Sequence, residues 1–173
     1  DGHTHMSILQ FEGLEEHAIL IDSMSKRYSM CGARIGCLIT KNKEITRAAL
    51  KFAQSRLCPP TIAIHACEAA LDEPQQYLTD AVEEYQKRRQ TAMECLHGIK
   101  GVQVAQPKGA FYCLVRLPVS DSDHFAKWML ESFADNNETL MVAPANGFFS
   151  GYATGKDMIR IAFVLNVDKL KRA

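Results

Sequence analysis

A lysine preceded by two serines follows an apolar run near the start of the chain. Lys26 comes after Ser23 and Ser25 in the stretch SMSKRYSMCGARIG (residues 23–36), and Arg34 stands near its end in a Gly-x-Arg-x-Gly setting. Desolvation and a nearby cation favour the neutral form of a lysine amine, which is the nucleophile of Schiff-base chemistry. Serine hydroxyls and a forked guanidinium are suitable ligands for a phosphate. An amine nucleophile beside a phosphate-binding group indicates pyridoxal phosphate as the cofactor.

The same stretch resembles the pyridoxal-phosphate attachment motif of class I aminotransferases, with S-M-S-K-x-x-S-M-x-G-x-R-I-G matching it at every defining position. Two later segments, PKGAFY (residues 107–112) and IRIAF (residues 159–163), are similar to further landmarks of the family and follow in the same order. The chain is therefore identified as similar to the C-terminal portion of class I/II aminotransferases, the aspartate aminotransferase-like enzymes of fold type I.

The resemblance implies roles for the residues of the first motif. Lys26 would form an aldimine with pyridoxal phosphate and then, as general acid and base, move a proton between the substrate Cα and the cofactor. Ser23 and Arg34 would hold the cofactor phosphate, with Ser25 beside them, although Ser25 is also a common turn residue. The family's partners of the cofactor ring would lie before residue 1.

The two later segments supply the residues expected to bind the substrate. Arg160 would bind the substrate α-carboxylate through two hydrogen bonds, and either Phe111 or Tyr112 would border the substrate pocket. Without the resemblance, the alternation of the strand around Arg160 would also permit its side chain simply to point to solvent.

The implied activity is that of an aminotransferase, a homodimeric enzyme that moves an amino group between an amino acid and a 2-oxo acid. A lyase with the same cofactor and fold is one alternative. Another is a truncated binding module without catalytic activity, since the family's partners of the cofactor ring would lie before residue 1. The chain begins with Asp1 rather than Met and ends in what looks like the first turns of a helix, although the opening residues could instead be a tag remnant before Met6. We therefore expect a piece of a longer protein that is inactive by itself.

The composition excludes several other classes of protein. Apolar residues make up 47% and charged residues 23% of the 173 residues, which is typical of a soluble globular protein. Twenty basic residues balance twenty acidic ones, so no overall field favours nucleic acid or an anionic membrane. No apolar run approaches the roughly 18 residues of a membrane span, and no signal peptide is evident, so we expect a cytoplasmic protein. The six cysteines are predicted to be reduced core residues, and His3-x-His5 has no nearby partner for a metal site.

The apolar periodicity predicts the elements that must position these residues. Residues 17–23 are predicted to form a buried parallel strand and residues 34–40 a second apolar strand of the core. Helices are predicted at 42–57, 61–71, 74–96 and 122–134, the last with Phe125, Trp128, Met129 and Phe133 on its inner face. Further strands are predicted at 102–105, 110–117, 140–142 and 159–165.

Together with the resemblance, this pattern predicts an α/β fold in two parts. Residues 1–72 would be the C-terminal part of the large domain that binds pyridoxal phosphate, with a mostly parallel sheet covered by helices. Residues 73–173 would be a long linking helix and a small α+β C-terminal domain, truncated at its end.

Overall fold

The computed structural model describes residues 4–151 and 154–173, so His3 lies outside the described part. The described residues divide into two compact units, one of residues 4–78 and one of residues 79–151 and 154–173. The predicted boundary at residues 72–73 stays a prediction for the domains of the whole protein. The elements, in chain order, are β1 (Leu20–Ser23), α1 (Met24–Arg27), β2 (Gly36–Ile39), α2 (Lys43–Arg56), α3 (Thr61–Leu71), α4 (Gln75–His97), β3 (Gln103–Val104), β4 (Tyr112–Arg116), α5 (Ser122–Glu131), β5 (Ala143–Pro144), β6 (Met158–Ala162) and α6 (Val167–Arg172).

The first unit contains a β-hairpin-like pair in which β1 runs antiparallel to β2, with Ser23 opposite Gly36. The predicted parallel, buried strands are wrong for this pair, because both strands are largely exposed and every strand pairing among the described residues is antiparallel. The cause is the connection over residues 24–35, which contains the short helix α1 and a 3₁₀ turn (Cys31–Ala33) and lacks the crossover helix that parallel neighbours need.

The helices of the first unit follow the predicted ranges closely. Asn42 caps α2, since its side-chain oxygen accepts hydrogen bonds from the backbone N–H groups of Glu44 (3.0 Å) and Ile45 (3.1 Å). Its amide nitrogen donates to the Glu16 carbonyl oxygen over 2.8 Å, which ties the start of α2 to the segment before β1. Pro59 and Pro60 separate α2 from α3.

The second unit is an antiparallel sheet packed against helices. Its strands lie in the order β3–β4–β6–β5. The core beneath the sheet includes Ala92, Met93 and Leu96 from α4 and Ala126 from α5, together with the fully buried Val115 and Phe163. Burying a side chain as large as Phe163 stabilises the folded state by about 1.5–3 kcal/mol.

Strict alternation along β4 and β6 gives this sheet two different faces. Cys113, Val115 and Ile159 are buried against the helices. Tyr112 and Arg160 alternate with them and are exposed. Residues opposite each other in an antiparallel pair share a face, and Leu114 lies opposite Arg160 in the register. We call the side that carries Tyr112, Leu114 and Arg160 the open face of the sheet.

Several sequence predictions need correction. The strand predicted at 140–142 lies instead at Ala143–Pro144, because these are the residues that pair with Arg160 and Ile159 of β6. Trp128 and Phe133 are 45% and 37% exposed rather than on the inner face of α5, where Ala126 and Met129 are buried instead. Of the cysteines, Cys67 and Cys113 are buried, but Cys31, Cys37, Cys58 and Cys95 are exposed, and all are free thiols.

Over residues 4–151 and 154–173, no helix combines the length and the apolar character that crossing a membrane requires. The same residues contain no cluster of three or more His, Cys, Asp or Glu side chains suited to a metal ion.

Candidate active site

The predicted cofactor-binding residues of the first unit lie on one loop, residues 23–36, which we call the lysine loop. Ser23 is the cap of α1, since its Oγ accepts a hydrogen bond from the Ser25 backbone N–H over 3.1 Å. The Ser23 hydroxyl lies 2.9 Å from the Ser25 hydroxyl and 3.4 Å from the Ile35 carbonyl oxygen. These contacts bring the two hydroxyls together and place them beside the residue that follows Arg34.

Cys31 connects the remaining residues of the lysine loop. Its Sγ donates to the Ser25 carbonyl oxygen over 3.2 Å, and the Lys26 Nζ donates to the same Sγ over 3.6 Å. The Arg34 guanidinium donates to the Cys31 carbonyl oxygen over 2.9 Å. Cys31 was predicted as a core residue, and instead it is an exposed residue in contact with the candidate nucleophile.

Arg34 adopts a backbone conformation that is uncommon for an arginine. Its φ of 56° and ψ of 42° lie in the left-handed region, directly before Ile35 and β2. This conformation costs an L-residue roughly 1–2 kcal/mol. The backbone at Arg34 therefore lowers the stability of the folded loop. Strain of this kind is typical of functional sites.

An ion pair fixes the base of the lysine loop. The Arg27 guanidinium lies 2.7 Å from the Asp22 carboxylate, which also accepts the Ser23 backbone N–H over 2.7 Å. The backbone hydrogen bond from Ser23, followed by that from Arg27, lowers the pKa of the Asp22 carboxyl group. Arg27 is thus engaged in an ion pair, and the other two basic residues of the lysine loop are Lys26 and Arg34.

Lys26 itself is exposed in this chain. Burial against the neighbouring strands, which the sequence analysis proposed as one means of activating its amine, is therefore absent from the described residues. The remaining proposed means, a nearby cation, concerns Arg34, whose side chain belongs to the same loop and contacts Cys31 as Lys26 does.

The residues of the lysine loop fit pyridoxal phosphate in their chemistry. Two hydroxyls in mutual contact and a guanidinium bonded to the same short loop supply the donors that a phosphate dianion needs. Lys26, the residue after Ser25, has a primary amine that can supply the covalent attachment.

The predicted substrate-binding arginine lies in the second unit, on the open face of the sheet. The guanidinium carbon of Arg160 lies 5.0 Å from the ring centroid of Tyr112 and 4.9 Å from that of Phe148. Within residues 4–151 and 154–173, no carboxylate is paired with this guanidinium. The side chain points away from the core, and the two rings lie against it.

Phe111 and Tyr112 point to different sides of the sheet. Phe111 packs against the core and lies 5.9 Å from the Tyr85 ring, whereas Tyr112 lies beside Arg160. Of the two residues predicted to border a substrate pocket, Tyr112 is therefore the one that lies beside Arg160.

Sequence reasoning missed Cys31 and Phe148. Phe148 follows the segment PANG and stands in a short 3₁₀ turn (Asn146–Phe148), where no periodic pattern assigns it to a face. Cysteine is a residue type common in protein cores, which is why Cys31 was assigned there. Its position five residues after Lys26 was the available sign that it could contact that lysine.

Comparisons with known proteins bear on both units. The sequence profile of the family described as aminotransferase class I and II matches residues 2–173. The aspartate aminotransferase of Bacillus subtilis (strain 168) is 30% identical over 186 residues, an alignment that covers 99% of this chain and 45% of that protein. The LL-diaminopimelate aminotransferase of Natranaerobius thermophilus is 30% identical over 174 residues, covering 100% of this chain and 43% of that protein.

Solved structures match the fold over nearly the whole chain. The aromatic aminotransferase of Pyrococcus horikoshii OT3 superposes with a TM-score of 0.83 at 26% identity, covering 99% of this chain and 44% of that one. The aspartate aminotransferase of Rhizobium meliloti gives a TM-score of 0.82 at 26% identity, covering 99% and 44%. The chain thus spans less than half the length of these relatives. The resemblance seen in the lysine motif is confirmed, and the chain belongs to the class I and II aminotransferase family.

Proposed function

We propose that the protein to which this chain belongs is a pyridoxal-phosphate-dependent aminotransferase acting on an amino acid and a 2-oxo acid. The observation that carries the proposal is the lysine loop, in which hydrogen bonds through Ser25 and Cys31 link the Ser23 hydroxyl, Lys26 and the Arg34 guanidinium. Membership of the aminotransferase family supports the same activity.

Each residue of the lysine loop has a distinct task in this proposal. Bound pyridoxal phosphate would supply an electron sink for negative charge at the substrate Cα. Lys26 would anchor the cofactor through its amine and then hold and deliver the proton at the Cα atom. Ser23, Ser25 and Arg34 would bind the phosphate, which fixes the cofactor relative to Lys26.

Arg160 would orient the substrate. Its forked guanidinium can bind the α-carboxylate through two N–H groups, which restricts rotation about the Cα and selects the bond that is broken. The carboxylate is common to all amino acids. The related proteins are named for aspartate, LL-diaminopimelate and aromatic substrates.

The decisive experiment locates the cofactor on the full-length protein. Reduction with borohydride after incubation with pyridoxal phosphate should fix a pyridoxyl group on the peptide that contains Lys26, as seen by mass spectrometry. Lys26→Ala should abolish this label and the visible absorbance of the bound cofactor. Lys51→Ala, which removes an exposed lysine of α2, should change neither. Labelling that persists in the Lys26→Ala protein would refute the proposal.

A second measurement distinguishes transfer from elimination. An aminotransferase should consume the acceptor oxo acid in step with the donor amino acid, whereas a lyase would release ammonia without an acceptor. The family resemblance also leads us to propose a cytoplasmic homodimer, and analytical ultracentrifugation of the full-length protein tests its association.

A further inference from the structure

The two aromatic rings beside Arg160 come from the strands on both sides of β6. Tyr112 is on β4, which neighbours β6 on one side. Phe148 lies in the 3₁₀ turn after β5, which neighbours β6 on the other side. The guanidinium carbon is 5.0 Å and 4.9 Å from the two centroids, both within the range of a cation–π interaction. The rings thus flank the arginine on the open face of the sheet.

An aromatic ring holds a guanidinium without competing for its hydrogen bonds. The ring face attracts the positive charge but offers no oxygen atom, so the N–H groups stay available for a carboxylate. An acidic neighbour would restrain the side chain equally well but would take up these donors and repel the ligand. The pair of rings therefore restrains Arg160, and within residues 4–151 and 154–173 no oxygen acceptor is paired with its guanidinium.

The turn that carries Phe148 is itself fixed to β6. The Ala145 backbone N–H donates to the Met158 carbonyl oxygen over 2.8 Å, and the Phe148 N–H donates to the Ala145 carbonyl oxygen over 3.0 Å. A Cβ on Gly155 would lie 2.6 Å from both the Ala145 carbonyl oxygen and the Phe149 ring, so the turn is closely packed there. These contacts fix the backbone of the turn, and so the position from which the Phe148 side chain extends.

We propose that Tyr112 and Phe148 are positioning residues that hold the Arg160 guanidinium ready for a carboxylate ligand. The inference rests on the proposed function, in which that ligand is the α-carboxylate of the amino acid substrate. Because an arginine side chain loses much rotamer freedom when it binds, restraint before binding raises the affinity for the carboxylate.

The test uses substitutions that remove or keep each ring. Tyr112→Leu and Phe148→Leu remove the π face at similar bulk, whereas Tyr112→Phe and Phe148→Tyr keep it. Each leucine variant of the full-length enzyme should raise KM about two- to fivefold, the effect of one exposed cation–π contact, with kcat nearly unchanged. The ring-keeping variants should restore the original KM.

Two readouts separate this inference from the proposed function. Binding of α-methyl amino acids, which carry the carboxylate but no Cα hydrogen, should weaken by the same factor in the leucine variants. In protein enriched in NMR-active isotopes, the Arg160 δ protons should be shifted upfield by ring currents. Phe148→Leu should reduce that shift. Equal carboxylate affinity in the leucine and ring-keeping variants would overturn the inference, even where Lys26 binds the cofactor. Failure of cofactor labelling at Lys26 would instead refute the proposed function and leave the ring-current result standing.

Discussion

Cys113 has its thiol in the core of the second unit, where it is only 4% exposed. Burial disfavours the thiolate and raises the pKa of Cys113 from 9.0 to about 11. In the unfolded chain the thiol ionises first, so the unfolded state gains stability as pH rises through this window. We expect the unfolding free energy to fall between about pH 9 and about pH 11 because of this group, and to level off above it.

A comparison with Cys113→Ala isolates that contribution. Lysine and tyrosine side chains also titrate above pH 9, but their effects are shared by both proteins and cancel in the difference. The fluorescence of Trp128, which belongs to the same unit, reports urea unfolding at each pH. The difference in unfolding free energy between the two proteins should shrink as pH rises. Parallel pH profiles would show that Cys113 does not contribute.

The candidate functional residues of the lysine loop could be identified from the sequence, but the contacts between them could not. Ser23, Lys26 and Arg34 stand out because hydroxyls and a guanidinium can bind a phosphate and an amine can form a Schiff base. The contact of Lys26 with Cys31 depends on how residues 24–35 turn back on themselves, and a thiol in an apolar context is indistinguishable from a core residue by composition. Roles for these residues in cofactor binding remain proposals.

At the scale of secondary structure, two glycines of the lysine loop are expected to respond differently to substitution by alanine. A Cβ on Gly36 would lie 2.5 Å from the Asp22 carbonyl oxygen, across the β1–β2 pair, whereas a Cβ on Gly32 would meet nothing within 4 Å. Gly36→Ala should therefore force the strands apart, at a cost typical of overpacking, about 1–3 kcal/mol. Gly32→Ala should be tolerated.

Hydrogen exchange of residues 18–40 and the affinity for pyridoxal phosphate measure this difference. Gly36→Ala should speed exchange of the β1–β2 amides and weaken cofactor binding, because Ser23 stands opposite Gly36 in the register. Gly32→Ala is the matched control from the same motif. If both variants exchange at the same rate, the close approach at Gly36 does not govern this element.

Helices were predicted more accurately than strands for a physical reason. A helix carries its hydrogen bonds within one segment, so the apolar spacing and the Asn42 cap were sufficient to place α2. A strand is defined by its partner, and neither the antiparallel pairing of β1 with β2 nor the position of β5 beside Arg160 is encoded locally. The alternation along β6 did predict that the strand has two different faces. The pairing with β4 shows which residues lie on the same face as Arg160.

The two units bury their apolar residues to different extents when each is considered by itself. The second unit has a contiguous core that includes Val115 and Phe163, which are 0% and 1% exposed. In the first unit, Phe52, Leu57 and Ile62 are 76%, 80% and 87% exposed. Since apolar burial is the dominant favourable term in folding, the second unit is expected to be the more stable in this chain.

Amide hydrogen exchange of the 173-residue chain tests that difference residue by residue. Amides of β4 and β6 should exchange at least about tenfold more slowly than those of β1 and β2, because local opening of the first unit exposes little additional apolar surface. The relatives are more than twice as long as this chain, and a protein of that length would have further polypeptide with which to cover residues such as Ile21, which is 79% exposed here. Protection of β1 and β2 should therefore rise in the full-length protein while that of β4 and β6 changes little. Equal protection of both units in the short chain, or no gain in β1 and β2 in the long one, would contradict this account of where the stability lies.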